Sequence, residues 1–295
     1  MGQGGSKGGN AMKFKAMTAI AALAVSMPAL AFADADDDTL IVNGEIEMIT
    51  KAAAPAHLAD TLDEVISGWH MRSDETQIMQ ADDFDNPGMI FVEQAMDDWN
   101  TVNGEKGKSC ASCHGDVEES MTGVRAVYPK WNDSKETVYT MEMQINDCLT
   151  DGMGAEAWKK SGAKMARMEA LISVQSRGMP MNVAIDGPAE ATWELGKELY
   201  YTRTGQLDLS CASCHEENYG NHIRSDHLSQ GQTNGFPVYR LKNAKLTTAH
   251  GRFKGCVRDT RAETYKPGSD EFIALELYVA SRGNGLSVEA PSVRN

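Results

Sequence analysis

The chain is poor in positive charge. Lys and Arg number 28 against 42 Asp and Glu, a formal net charge of −14, and no domain-sized basic block interrupts that balance. So acidic a surface repels polyanions, which excludes nucleic acid and anionic lipid as partners. It leaves plain solubility, or docking of a basic partner. Past its first 33 residues the chain also lacks any apolar run long enough to span a bilayer, so the mature protein is expected to be soluble. It has six cysteines. Four sit in two C-x-x-C-H strings, with no further C-x-x-C pair to complete a zinc site. Two residues between cysteines is a poor spacing for a structural disulfide and a good one for clamping a planar macrocycle.

The N-terminus reads as a targeting segment. Residues 1–11, rich in Gly and Ser, form a leading extension. Lys13 and Lys15 make a positive start, an apolar stretch runs from Ala16 to Leu30, and Ala31-Phe32-Ala33 offers a cleavage site. Cleavage there removes Lys7, Lys13 and Lys15 and no acid, leaving a still more acidic chain. The expected destination is the periplasm, which suits the cysteine usage, because haem is attached to C-x-x-C-H outside the bacterial cytoplasm.

An internal repeat organises the rest. Ser109–His114 and Ser210–His215 both read S-C-A-S-C-H. Each string is followed by one lone cysteine, Cys148 and Cys256. Each unit then closes with an apolar helical segment ending in Ser-Arg-Gly, over Met168–Gly178 and Leu275–Gly283. Glycine there is expected to act as a left-handed helix stop. Phe91–Trp99 and Glu190–Tyr200 are expected helices leading into the two strings. Earlier, Leu58, Leu62, Val65 and Ile66 stand at helical spacing and predict a helix over His57–Trp69, while Asp83–Gly88 reads as a turn. The acidic Asp34–Asp38 reads as a frayed tail. The expected fold is mainly α, with two tandem cytochrome c-like haem domains after an N-terminal extension. The domains are residues 34–182, which include the extension, and residues 183–295.

In C-x-x-C-H the thiols add to the haem vinyl groups and the histidine reaches the iron. Thioether bonds therefore fall to Cys110 and Cys113, and to Cys211 and Cys214, for two covalently bound haem c groups. His114 and His215 are the proximal ligands. The sixth position is open to several donors. Methionine is plentiful, His222, His227 and His250 are free, and Cys148 and Cys256 hold corresponding places in the repeat. The two cysteines are favoured as distal ligands, but their spacing alone equally allows a disulfide between them. The neighbourhood of Cys256 favours ligation there. His250, Arg252, Lys254, Arg258 and Arg261 surround it in a chain otherwise acidic, whereas Cys148 lies among acids in Asn146-Asp147-Cys148-Leu149-Thr150-Asp151. Cations favour a thiolate, and arginine offers paired donors to oxyanions. The second unit thus reads as reactive towards anions and the first as an electron relay or a structural remnant.

The chain resembles the SoxA family, the haem-carrying subunits of SoxXA complexes in bacterial sulfur oxidation. The resemblance is carried by Asp83-Phe-Asp-Asn-Pro-Gly88, Gly107-Lys-Ser-Cys-Ala-Ser-Cys-His-Gly-Asp116, Ser176-Arg-Gly-Met-Pro180 and Gly205-Gln-Leu-Asp-Leu-Ser-Cys-Ala-Ser-Cys-His215. It continues through Gln230-Gly-Gln, Pro237-Val-Tyr-Arg240, Arg252-Phe-Lys-Gly-Cys256, Leu275-Glu-Leu and Pro291-Ser-Val-Arg294. It implies an L-cysteine S-thiosulfotransferase that couples thiosulfate oxidatively to a cysteine of the carrier protein SoxYZ, with a SoxX-like monohaem cytochrome as partner. It matches Cys256 to the family's distal cysteine, which can be a persulfide, Arg252 to its substrate-guiding arginine, and Cys148 to the distal cysteine of the first haem. The catalytic domain is then the second. The rival readings are a dihaem electron carrier with Met or His ligands, a dihaem peroxidase, and a thiosulfate dehydrogenase that needs no carrier.

Overall fold

A computed structural model describes Met1 and residues 39–224 and 226–295. The remainder of the expected export signal and the acidic start Asp34–Asp38 lie outside the described residues. From residue 39 onward the described residues form one unit.

The extension is built of two small antiparallel hairpins, β1 (Leu40–Val42) with β2 (Ile46–Met48), and β3 (Lys51–Ala53) with β4 (Glu64–Ile66), followed by α1 (Asp74–Ala81). The helix predicted over His57–Trp69 is not formed. In its place come a 3₁₀ turn at Ala56–Leu58, strand β4, and a second 3₁₀ turn at Gly68–Met71. Leu58, Leu62 and Val65 are buried as their spacing required, but against Leu286 and by way of a turn and a strand. The hydroxyl of Thr61 donates to the Leu58 carbonyl and the Ala54 amide to that of Asp63, which closes the hairpin and removes the partners a helix would use.

The first haem-string half runs α2 (Met89–Asn100), α3 (Cys110–His114), α4 (Val117–Ser120), the hairpin β5 (Lys130–Asn132) and β6 (Thr137–Tyr139), α5 (Met141–Asp147) and α6 (Ala163–Val174). The second half repeats the order. It has α7 (Glu190–Tyr201), α8 (Cys211–His215), a short hairpin β7 (His222–Ile223) and β8 (Asp226–His227), the hairpin β9 (Val238–Arg240) and β10 (Lys245–Thr247), α9 (Ala249–Asp259) and α10 (Asp270–Ser281). The last strand, β11 (Ser292–Arg294), joins β9 in parallel. Asp83–Gly88 is the expected turn.

Each half has its own core. In the first, Val92, Ala95 and Trp99 of α2 meet Ala166, Met168 and Leu171 of α6. In the second, Trp193 and Tyr200 of α7 meet Phe272, Leu277 and Tyr278 of α10. Each of the larger of these side chains contributes about 1.5–3 kcal/mol by leaving water. The α7–α10 crossing is so close that a Cβ on Gly196 would lie 2.1 Å from the Ala274 carbonyl oxygen, so glycine is needed there in mid-helix. The second Ser-Arg-Gly triplet closes its helix as expected, with Arg282 as the C-cap, whereas the first follows a helix already ended, and neither half stops at its glycine. α6 stops at Val174 and α10 at Ser281, and although Gly178 adopts φ +79°, in the second half the left-handed glycine is Gly285, not Gly283. The first triplet instead begins the returning chain, where Arg177 bridges to Val288.

Candidate functional site

The two C-x-x-C-H strings fold alike for the same local reason. A tight loop, bridged at Asn103–Lys108 in one copy and Thr204–Leu209 in the other, delivers the chain to a capping serine. Ser109 accepts from the Ser112 amide while Ser112 returns a bond to the Ser109 amide, and Ser210 and Ser213 do the same. One helical turn follows, which sets both cysteines of a string on one face.

The donor set fits haem c. All six thiols are free, and no disulfide joins Cys148 to Cys256. Burial, and next the nearby Cys148, push the Cys110 thiol up to about 11; burial, and next Cys256, push that of Cys211 up to about 12. Such sites penalise a thiolate, whereas a thioether has no charge to desolvate. The surroundings of His215 suit an iron ligand. Its Nδ1 lies 2.8 Å from the Ser229 carbonyl, which can only accept, so Nδ1 carries the proton and Nε2 keeps its lone pair. Burial lowers its pKa to about 4, leaving the ring neutral. Gly231, at φ +78°, lets the backbone pass beneath the ring; a Cβ there would lie 2.7 Å from His215 Cγ. His114 is exposed and lies 5.8 Å from the Trp99 ring, whose Nε1 donates to the Gly115 carbonyl.

The lone cysteines stand at equivalent places. Thr140 caps α5 and Thr248 caps α9, each accepting from the amide three residues on, and each cysteine comes eight residues after its cap. Cys148 opens a π-helical turn, Cys148–Gly152. Cys148 lies within electrostatic reach of Cys110, and Cys256 of Cys211 and Cys214.

Of the five basic side chains around Cys256 in sequence, the structure brings Arg252 to the thiol. Its guanidinium is held above its ordinary value, chiefly by Cys256 and against its own burial. Lys254, Arg258 and Arg261 are exposed, with Arg258 beside Asp259 at 3.4 Å. His250 leaves the group altogether. It is buried, accepts at Nδ1 from the Gly268 amide, and sets Nε2 2.9 Å from Glu276. His222 and His227, the other histidines considered for iron, stack on each other at 4.3 Å across the β7–β8 hairpin.

Sequence proximity to Cys256 missed one member. Arg240, on β9, lies within electrostatic reach of Arg252, Asp226 and Cys256; burial first, and then Arg252, lower its pKa. Its Nε donates to the Asn295 carbonyl at 2.9 Å. Asp226 is fixed by Arg72 at 2.9 Å, so the extension helps order this charge cluster. The signal for Arg240 was its place in the Pro237–Arg240 motif, which carries no spacing to Cys256.

The cytochrome c domain family described as SoxA/TsdA matches residues 94–181 and 195–288. A curated relative from Rhodovulum sulfidophilum, named L-cysteine S-thiosulfotransferase subunit SoxA, is 61% identical over 259 residues, 88% of this chain and 90% of the relative. The chain belongs to the SoxA family. The SoxA subunit of Paracoccus pantotrophus is 56% identical over 286 residues, 96% of this chain and 98% of the relative. A chain of the crystal structure of SoxXA from P. pantotrophus superposes with a TM-score of 0.86 at 57% identity, covering 89% of this chain and all of that one. The fold is accordingly mainly α and of the cytochrome c kind, and the chain is a haem c protein of the SoxA family. No helix among the described residues is long and apolar enough to cross a membrane.

Proposed function

We propose that this chain is the catalytic haem subunit of an L-cysteine S-thiosulfotransferase. It couples thiosulfate to a cysteine of the carrier protein SoxYZ, working in the periplasm with a SoxX-like monohaem cytochrome after removal of residues 1–33. The observation that carries the reading is the juxtaposition of Cys256 with Arg252 and the second C-x-x-C-H string, in a chain whose relatives are named for this activity.

Two haem c groups would be held, one by Cys110, Cys113, His114 and Cys148, the other by Cys211, Cys214, His215 and Cys256. Residues 34–182 and 183–295 form the corresponding domains, the second catalytic. Bound there, haem c supplies a one-electron acceptor close to a thiol. The protein does the rest. Arg252, with Arg240 beside it, binds the sulfonate end of the thiosulfate dianion by charge-assisted hydrogen bonds. This aims the sulfane sulfur at Cys256. An S–S bond forms between that sulfur and the Cys256 sulfur with release of the thiol proton, and the two electrons would leave one at a time to c-type haem and on to the monohaem partner. The carrier thiolate then attacks the same sulfane sulfur, and the Cys256 thiolate leaves. The carrier gains an S-thiosulfonate and Cys256 is regenerated. Thiosulfate turnover assayed with and without SoxYZ tests the reading: oxidation that depends on the carrier cysteine supports it, and equal turnover with tetrathionate release in the carrier's absence replaces it by a thiosulfate dehydrogenase.

A further inference from the structure

Arg282 is the arginine of the second Ser-Arg-Gly triplet, and the structure gives it no exposure to solvent. Its Nη1 is held by Glu216, the residue after the ligand His215. Its guanidinium carbon sits 4.4 Å above the Tyr200 ring. Nε and Nη2, the two donors on one edge of the guanidinium, are buried with no hydrogen-bond partner, and so is the Tyr200 hydroxyl. Leaving such donors unpaired away from water is costly, and more so on a charged group. A buried fork of this kind is matched by a planar carboxylate, which takes two parallel hydrogen bonds from Nε and Nη2.

The location says which carboxylate. Arg282 lies within electrostatic reach of both Cys211 and His215, and Tyr200 of Cys211. The corresponding arginine of the first half is otherwise engaged: Arg177 pairs with Asp83 at 2.7 Å and donates to the Ala290 carbonyl. The repeat thus carries one triplet with two uses.

We propose that Arg282, through Nε and Nη2, and the Tyr200 hydroxyl together seat a propionate of the haem bound at Cys211 and Cys214. This rests on the reading that the second string carries haem c. Arg282 is a positioning residue: it fixes the macrocycle and adds a buried positive charge beside it. A positive charge near the iron disfavours the ferric state, so Arg282 raises the potential of that haem. The shared chemistry is an oxyanion, and the other source is thiosulfate itself.

Arg282→Gln, Arg282→Lys and Tyr200→Phe variants of the whole chain with its monohaem partner separate these. Mass spectrometry of the peptide containing Cys211 and Cys214 first reports whether haem is attached in the wild type. Potentials, propionate bending modes by resonance Raman, and KM for thiosulfate are then measured. The expected result is attached haem and a lower potential for the second haem in Arg282→Gln, equivalent to about tenfold in the ferric-to-ferrous ratio, or about 59 mV. Arg282→Lys keeps most of the potential but, with Tyr200→Phe, shifts the propionate modes. KM stays at its wild-type value in all three. Unchanged potential and Raman modes in the haem-loaded variants overturn the propionate seat and leave the functional reading intact. A raised KM with an unchanged potential assigns the fork to substrate instead and overturns it as well. A peptide without haem removes both.

Discussion

Glu142 and His250 hold equivalent positions in the two halves, both buried and within electrostatic reach of one another. Each follows its capping threonine, Thr140 or Thr248, by two residues. Glu142 accepts from the Ser161 amide and hydroxyl, and the Ser161 hydroxyl lies 2.7 Å from that of Thr248. The closing helices add Glu169 from α6 and Glu276 from α10, while Arg125 crosses from the first half to the Thr233 and Phe236 carbonyls of the second.

These buried groups make stability fall as pH rises. Burial, reinforced by Glu142 and Glu276, holds the Glu169 carboxyl well above its ordinary range, and burial likewise raises Glu142. Burial pulls the His250 imidazolium down, but Glu276 and Glu142 more than offset that and leave it raised. All three bind protons more tightly folded than unfolded. Their contribution is therefore complete below the ordinary carboxylate or imidazole value and is lost as pH climbs through the folded one. Glu169→Gln is expected to flatten this loss, with Tm at pH 8 raised by roughly 2–4 °C for each kcal/mol relieved. Calorimetry from pH 5 to 8 checks it, and parallel wild-type and variant curves would count against it.

Arg252→Ala is expected to lower kcat/KM for thiosulfate by about 10–100-fold, the worth of one charge-assisted hydrogen bond or more. The haem absorption spectrum should stay close to wild type. Steady-state kinetics with the carrier protein measure this, and unchanged turnover removes Arg252 from the site.

Cys256→Ala and Cys148→Ala are expected to alter one haem each. Thiolate-ligated low-spin ferric haem has a compressed spread of g values, so low-temperature electron paramagnetic resonance should lose one such signal per variant. A Cys256→Ala spectrum that changed only at the first haem would overturn the pairing of Cys256 with His215.

Gly231→Ala tests the support of His215, the proposed proximal ligand. The added methyl would press on His215 at 2.7 Å, at a backbone conformation, φ +78°, that alanine adopts poorly. The second haem should show a displaced potential or incomplete attachment while the first is unaffected, read by redox titration and haem content.

The repeat was legible because its signals are local. Ser109 and Ser210 cap their strings through residues three places on, α2 and α7 follow from apolar periodicity, and Cys148 and Cys256 keep one spacing from their caps. What the sequence hid depends on distant partners. The stretch from His57 to Trp69 has helical periodicity, yet pairing of Val65 with Ala52 makes part of it a strand. His250 looked like a member of the anion site until Glu276, on another helix, took it inward. Arg240 comes within electrostatic reach of Cys256 although it stands on β9, which pairs with β10, the strand before α9, a relation no spacing encodes.

The most direct measurement is the mass of the carrier cysteine after incubation of SoxYZ with thiosulfate, an electron acceptor, and this chain bound to its monohaem partner. A thiosulfonate on that cysteine with the wild type, and none above background with Cys256→Ala, is the expected result. A carrier modified equally fast by Cys256→Ala would contradict the assignment of Cys256 as the sulfur that couples to thiosulfate.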